Sequence, residues 1–281
     1  MNIMVDRTEK RATAFTLIEL LVVMGVIALL AVMLVPVLAS TTSGTLHTQC
    51  LNNLRQLGIG LTLYANDNKE FLVPPTPSDN EDNTPGNPPN PPFKQYAIFW
   101  QYTNALNGAG IPLVSNAPSV WCCPDIPDLP YPDTLNYPEW VIGYQYLGGI
   151  TQWTPGGQTG FNLGIHSPVK LTQSQPYWCL AADLVAKIDG YWGGTLPNVT
   201  VPAINAAFKY VPPHREGTNA IPTGGNEVFA DGSASWCRVQ TMHNFTSWIN
   251  VNEFWFYQRE DDLTPEFVAF YNSPGYKWTG N

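Results

Sequence analysis

The sequence predicts an α+β chain, with one long N-terminal helix followed by an antiparallel, β-rich domain carrying Pro-rich loops. Three observations lead there. Residues 14–36 form a near-continuous apolar run. An apolar stripe then continues at helical spacing through Leu46, Cys50, Leu54, Leu57, Leu61 and Tyr64. Charged residues make up only 12% of the chain, and Gly, Pro, Asn, Thr and aromatics replace them, which suits a loop-rich extracytoplasmic β domain better than a helical one.

The apolar run is long enough to cross a bilayer, which takes roughly 20 residues in one helix. Glu19 sits inside its leading edge. A carboxylate there is costly to hold in lipid and normally marks function. Arg7, Lys10 and Arg11 precede the run, and no Lys or Arg follows until Arg55, so the N-terminus is expected in the cytoplasm and the remaining chain outside. Polar Asn52, Asn53, Arg55 and Gln56 lie largely off the later stripe. A helix is therefore expected from Phe15 to Ala65, with breaks near Pro36 and near Gly44, spanning roughly 75 Å. Residues 15–39 form its membrane or filament-core half and 40–73 its outer half.

The run A-FTLIELLVVMGVIALLAVMLVP resembles the N-terminal signal of type IV prepilins and of type II secretion pseudopilins. In that family a short basic leader ends at a small residue, a Phe follows, and the fifth mature residue is Glu. The resemblance implies a leader of residues 1–14, cleavage after Ala14, N-methylation of Phe15, an assembly role for Glu19 and a helix kink at Pro36. The family usually has Gly where this chain has Ala14. Phe15 and Glu19, four apart, share a helix face. A free amine, from Phe15 itself or from a neighbouring subunit, would offset the cost of the buried carboxylate. The resemblance implies the second arrangement, which sets subunit register. The plainer alternatives are an ordinary anchor with Glu19 at headgroup level, or a secretory signal cut before Ser40, although that h-region would exceed the usual length.

Cys50 to Pro74, with NLRQ leading into YANDN, resembles a bacterial group of pseudopilin-like proteins that often carries a C-terminal His…Asp-Gly motif. Here His214 and Asp231-Gly232 match that motif with a longer interval. These two, with Asp183 as a further candidate, are weighed as a polar or metal cluster. The preferred reading is that Asp231 makes a tight turn and His214 caps a neighbouring loop, since Asp-Gly needs only turn chemistry.

Further along, residues 74–92 read as a Pro/Asn-rich linker with too few apolar residues to build a core. Residues 93–281 read as the globular domain. Within it, 93–107 suggests a short helix, 119–124 and 142–149 short strands, and 175–184 the strongest central strand. Residues 205–210 suggest a helical turn. Residues 226–239 read as a hairpin with a type I′ turn at Asp231-Gly232. Residues 246–257 fit a helix or a strand, and 262–270 a final short helix.

The five cysteines, Cys50, Cys122, Cys123, Cys179 and Cys237, lie on the side where disulfides persist. A bridge from Cys50 to Cys122 or Cys123 is preferred, because it would pin the domain to the helix. Zinc ranks below it, since no CxxC spacing occurs. No cofactor is expected. Calcium at the acidic residues Asp79, Glu81 and Asp82 is a lesser alternative, because they lack a calcium-loop spacing.

Net charge is −9, or −10 once a leader holding three basic and two acidic residues is removed, which argues against nucleic acid as a partner. No nucleophile, zinc-protease or phosphate-loop motif is present, and His47, His166, His214 and His243 are scattered, so an enzyme is not expected. The expected function is a structural subunit of a pseudopilus or type IV pilus-like filament, processed by a prepilin peptidase and serving type II secretion from the inner membrane. A minor pilin in adhesion is the nearest alternative. A membrane-anchored or secreted carbohydrate-binding protein is the alternative from another class, prompted by ten tryptophans and thirteen tyrosines.

Overall fold

The apolar run and the stripe behind it form one helix, α1 (Leu17–Asp67), of 51 residues. A computed structural model describes residues 16–76, 94–115, 118–134, 138–150, 167–188, 191–192, 208, 210–215, 221–245 and 253–271. Side chains at 31–43 lie outside that description, and so does any kink at Pro36. The breaks expected near Pro36 and Gly44 do not occur, and both residues lie within α1. Proline removes its own N–H from the helix ladder, and a single glycine costs about 1 kcal/mol, so neither must end a long helix.

The chain divides into two compact units, Met1–Thr45 and Leu46–Asn281. In the first, Leu17, Ile18, Leu20, Leu21, Met24 and Leu30 are all exposed. In the second, the stripe turns inward as its spacing demands. Cys50, Leu54, Leu57 and Leu61 are fully buried and Tyr64 nearly so, while Asn52, Arg55 and Gln56 face solvent. The helix closes at Lys69 and Glu70, both with positive φ, where the Glu70 N–H donates to the Ala65 carbonyl at 2.7 Å.

Among the described residues the strands form three antiparallel sheets. The first takes β1 (Ala97–Phe99), β2 (Tyr131–Asp133) and β3 (Glu139–Val141) in the order β1-β3-β2. The second, the one that carries α1, runs β4-β5-β8-β9, from β4 (Tyr144–Tyr146), β5 (Cys179–Asp183), β8 (Gly224–Phe229) and β9 (Ala234–Arg238). The third runs β10-β11-β6-β7, from β6 (Ala186–Ile188), β7 (Tyr191–Trp192), β10 (His243–Asn244) and β11 (Glu253–Phe256). Two further short helices are α2 (Thr103–Gly108) and α3 (Pro265–Tyr271).

Strand β5 is interior and buried at every position, as its apolar sequence requires. Residues 144–146 and 253–256 are strands within the segments expected, and the final helix, 265–271, overlaps the expected 262–270 and ends one residue later. The helix expected over 93–107 is only half present. Ala97–Phe99 pairs with Glu139–Val141 instead, and α2 begins at Thr103. The strand expected over 119–124 reduces to a single parallel bridge between Cys122 and Gly143. The β8–β9 hairpin forms, but not with a type I′ turn. Only Gly232 has positive φ there, at 81°, and the Gly232 N–H donates to the Phe229 carbonyl at 2.9 Å. That is the wider turn in which a left-handed glycine follows two ordinary residues. The linker at 77–92, including Asp79, Glu81 and Asp82, and residues 205–207 and 209 lie outside the described residues.

Candidate functional site

The start of α1 is built by a local motif. Thr16 precedes the first helical residue and Glu19 stands three positions on. The Glu19 carboxylate accepts the Thr16 backbone N–H at 2.9 Å and its hydroxyl at 2.8 Å, and the Thr16 hydroxyl oxygen lies 3.3 Å from the Glu19 N–H. This is a capping box, which satisfies helix-end donors reciprocally. The T-x-x-E spacing is readable in the sequence, but the roles expected for Glu19 came from the apolar run and the family resemblance and did not include a helix cap. Ala14 and Phe15 lie outside the described residues. Among the described residues no helix is long and apolar enough to cross a membrane; the apolar run goes on through 31–36, whose side chains lie outside that description.

A second constellation lies under the outer part of α1. Four residues from four chain segments bring one ligand-type atom each to within 4.8 Å of the others: Cys50, Cys123, Asp183 and His214. Cys50 comes from the buried stripe of α1. Its thiol donates to Asp183 Oδ1 at 2.8 Å and lies 3.3 Å from the Tyr144 hydroxyl of β4. Cys123 follows the bridge between Cys122 and Gly143, a close approach that only glycine permits, since a Cβ at 143 would fall 2.6 Å from that of Cys122. From α1, the Asn53 side-chain amide steadies this segment by donating to the Cys122 carbonyl at 3.1 Å.

Asp183 ends β5 with no solvent exposure. Its Oδ2 accepts the backbone N–H of Asn226 on β8 at 2.6 Å and that residue's side-chain N–H at 3.0 Å. His214 has φ of 57°, a left-handed conformation that a non-glycine residue holds at a cost. The backbone N–H and ring Nδ1 of His214 both reach Asp125 Oδ2 at 3.1 Å. This turns Nε2 inward, 3.1 Å from Asp183 Oδ2 and 3.3 Å from the Cys123 sulfur. His47 of α1 and Trp236 of β9 close one side, with their ring centroids 5.2 and 5.7 Å from that of His214.

The electrostatics follow from burial and these neighbours. Burial pulls the His214 imidazolium down, but Asp183 and Asp125 outweigh it and hold its pKa up at about 12. Asp125 is lowered in return, chiefly by its hydrogen bond from His214. Burial raises the Cys50 thiol well above its ordinary value and Cys123 to about 11. These shifts favour a charged imidazolium at His214 and protonated thiols at Cys50 and Cys123.

The structure corrects two expectations. All five cysteines are free thiols, so no bridge joins Cys50 to Cys122 or Cys123. Cys50 meets Cys123, but its sulfur is aimed at the Asp183 carboxylate. Cys122 turns away, donating to the Ser119 carbonyl at 3.7 Å. The His…Asp-Gly pair is also split. Asp231 sits on the exposed hairpin tip and accepts the Ser233 N–H at 2.8 Å, so it does make the turn. His214 takes Asp183 as its partner, beside Asp125 and Asn226, which sequence reasoning did not single out. No spacing joins residues this far apart in the chain. The sole local hint was the carboxylate two places after Cys123.

Of the seven described tryptophans only Trp100 is exposed, at 39%, so the described ones form no row of rings for stacking on sugar.

No curated protein and no solved structure gives a significant match to the chain. Residues 10–35 match a family model described as the prokaryotic N-terminal methylation motif. The chain thus carries a prepilin-type cleavage and methylation signal, the mark of a type IV pilin- or pseudopilin-like precursor.

Proposed function

We propose that this protein is a structural subunit of a pseudopilus or type IV pilus-like filament. A prepilin peptidase cuts after Ala14, Phe15 is N-methylated, and residues 15–39 enter the filament core alongside other pilin-type subunits. The precursor spans the inner membrane once, with its leader in the cytoplasm and the domain from residue 93 outside. Service to type II secretion is the preferred setting, and adhesion by a minor pilin the alternative. The observation that carries this reading is the methylation motif at 10–35, with Glu19 as the fifth residue from Phe15. The fully exposed apolar face of Leu17–Leu30 supports it, because a surface of that kind calls for lipid or other helices as its partner.

The capping box adds a second task for Glu19, and one pair of variants separates the two. Glu19→Gln keeps a capping side chain but removes the charge, whereas Glu19→Ala removes both. If Glu19 pairs with an amine to set register, both variants insert in the membrane and both lose filament assembly, read by shearing and microscopy. Normal filaments from Glu19→Gln alongside defective ones from Glu19→Ala would reduce Glu19 to a helix cap.

A further inference from the structure

We propose that Cys50, Cys123, Asp183 and His214 form a closed, four-coordinate site for a zinc-type divalent ion that staples α1 to its sheet domain. Two sulfurs, an imidazole nitrogen and a carboxylate oxygen are a donor set that borderline-soft Zn²⁺ favours. With zinc–sulfur bonds of about 2.3 Å and zinc–nitrogen bonds of about 2.0 Å, neighbouring ligand atoms of a tetrahedron stand roughly 3.3–3.8 Å apart. The Cys50 sulfur lies 2.8 Å from Asp183 Oδ1, His214 Nε2 lies 3.1 Å from Asp183 Oδ2 and 3.3 Å from the Cys123 sulfur, and one ligand atom from each of the four residues lies within 4.8 Å of the others. Binding needs shifts on the order of 1 Å or less to bring the four groups to that spacing.

The surroundings are those that a metal site requires. Asp125 holds the far ring nitrogen of His214, which fixes the tautomer that leaves Nε2 free to ligate. Asn226 holds one oxygen of Asp183. Cys50, Cys123 and Asp183 are fully buried, and the His214 side chain is only 7% exposed, so no position is left open for substrate. A closed site of this kind is structural. Its four ligands come from α1, the segment after the Cys122 bridge, β5 and the loop before β8, so one ion would tie the helix to three separate parts of the domain. On binding, the Cys50 and Cys123 thiols and the His214 imidazolium each release one proton to solvent, which leaves two thiolates and a neutral imidazole with Nε2 free to ligate beside the Asp183 carboxylate.

The test uses the full chain, purified in detergent under reducing conditions, stripped with chelator and titrated with Co²⁺. The expected result is saturation at one equivalent, with tetrahedral d–d bands and thiolate-to-cobalt charge transfer, both abolished when Zn²⁺ displaces the cobalt. Zn²⁺ should raise the unfolding midpoint by at least ~5 °C and selectively protect Cys50 and Cys123 from alkylation. Asp125→Asn, which leaves every ligand in place, should weaken zinc binding about 10–100-fold. Cys122→Ser should bind as the parent does. Absence of tetrahedral bands, metal protection spread over all five thiols, or a Cys50–Cys123 disulfide in protein taken from its own membranes would each overturn the assignment.

Discussion

Gly60 offers a direct test of how α1 docks in its own unit. An alanine methyl at this position would fall 2.4 Å from Ile111 Cγ2, 2.8 Å from Cγ1 and 3.0 Å from Cδ1. Ile111 is 1% exposed, and its carbonyl accepts the indole N–H of fully buried Trp121 at 2.8 Å, so it has little room to retreat. Overpacking of a tight core costs about 1–3 kcal/mol, and contacts this short belong at the upper end. Alanine recovers about 1 kcal/mol of helix propensity. Gly60→Ala should therefore lose about 2 kcal/mol, a fall in midpoint of about 4–8 °C for a unit of this size. Urea unfolding followed by tryptophan fluorescence reads this directly. In an Ile111→Ala background the clash is gone, and the same Gly60→Ala change should be neutral or stabilising by about 1 kcal/mol. A Gly60→Ala protein as stable as the parent, or a loss that persists in the Ile111→Ala background, would refute the close helix–domain contact.

Two further predictions concern the β8–β9 hairpin. Burial pushes the Glu227 carboxyl up to about 8; its Oε1 accepts the Tyr257 N–H at 2.6 Å, and Cys179 and Cys237 are its thiol neighbours. The folded state then holds a proton that the unfolded chain releases near 4.5. Stability from this group is complete below that value and is lost as pH rises through about 8. Urea midpoints from pH 5 to 9 should fall, and Glu227→Gln should flatten the fall, a difference on the order of a few kcal/mol at pH 9. Gly232→Ala meets no atom within 4 Å, so it carries only the strain of φ at 81°, about 1–2 kcal/mol. It should leave the thiol reactivity of Cys50 and Cys123 unchanged; altered reactivity would mean that the hairpin tip and the His214 cluster act together.

The elements legible in the sequence were those set by local pattern. Cys50, Leu54, Leu57, Leu61 and Tyr64 show helical spacing because one helix face is buried, and the structure buries that face. β5 reads as a central strand because it is apolar throughout, and β8–β9 as a hairpin because Asp231-Gly232 interrupts two strand-like runs. The turn type was missed because one more residue joins the loop than the Asp-Gly pair suggests. Residues 97–99 read as helix in the sequence because aromatic periodicity does not reveal a strand partner about forty residues away. The polar cluster was least legible. The motif resemblance offered His214 with Asp231, while turn chemistry gave Asp231 a purely local role; folding puts Asp231 at an exposed tip and delivers Asp183 and Cys50 to His214 from distant segments. The dense Cys122-Cys123 pair suggested a bridge, yet the two side chains diverge, one toward a carbonyl and the other toward His214.

The mature N-terminus, read by mass spectrometry of protein purified from its own membranes, bears most directly on the proposal that this chain is a processed filament subunit. The account predicts a chain that begins at Phe15 and carries one added methyl group on its amine. A chain beginning at Ser40, or one that keeps Met1 and the leader, would contradict it.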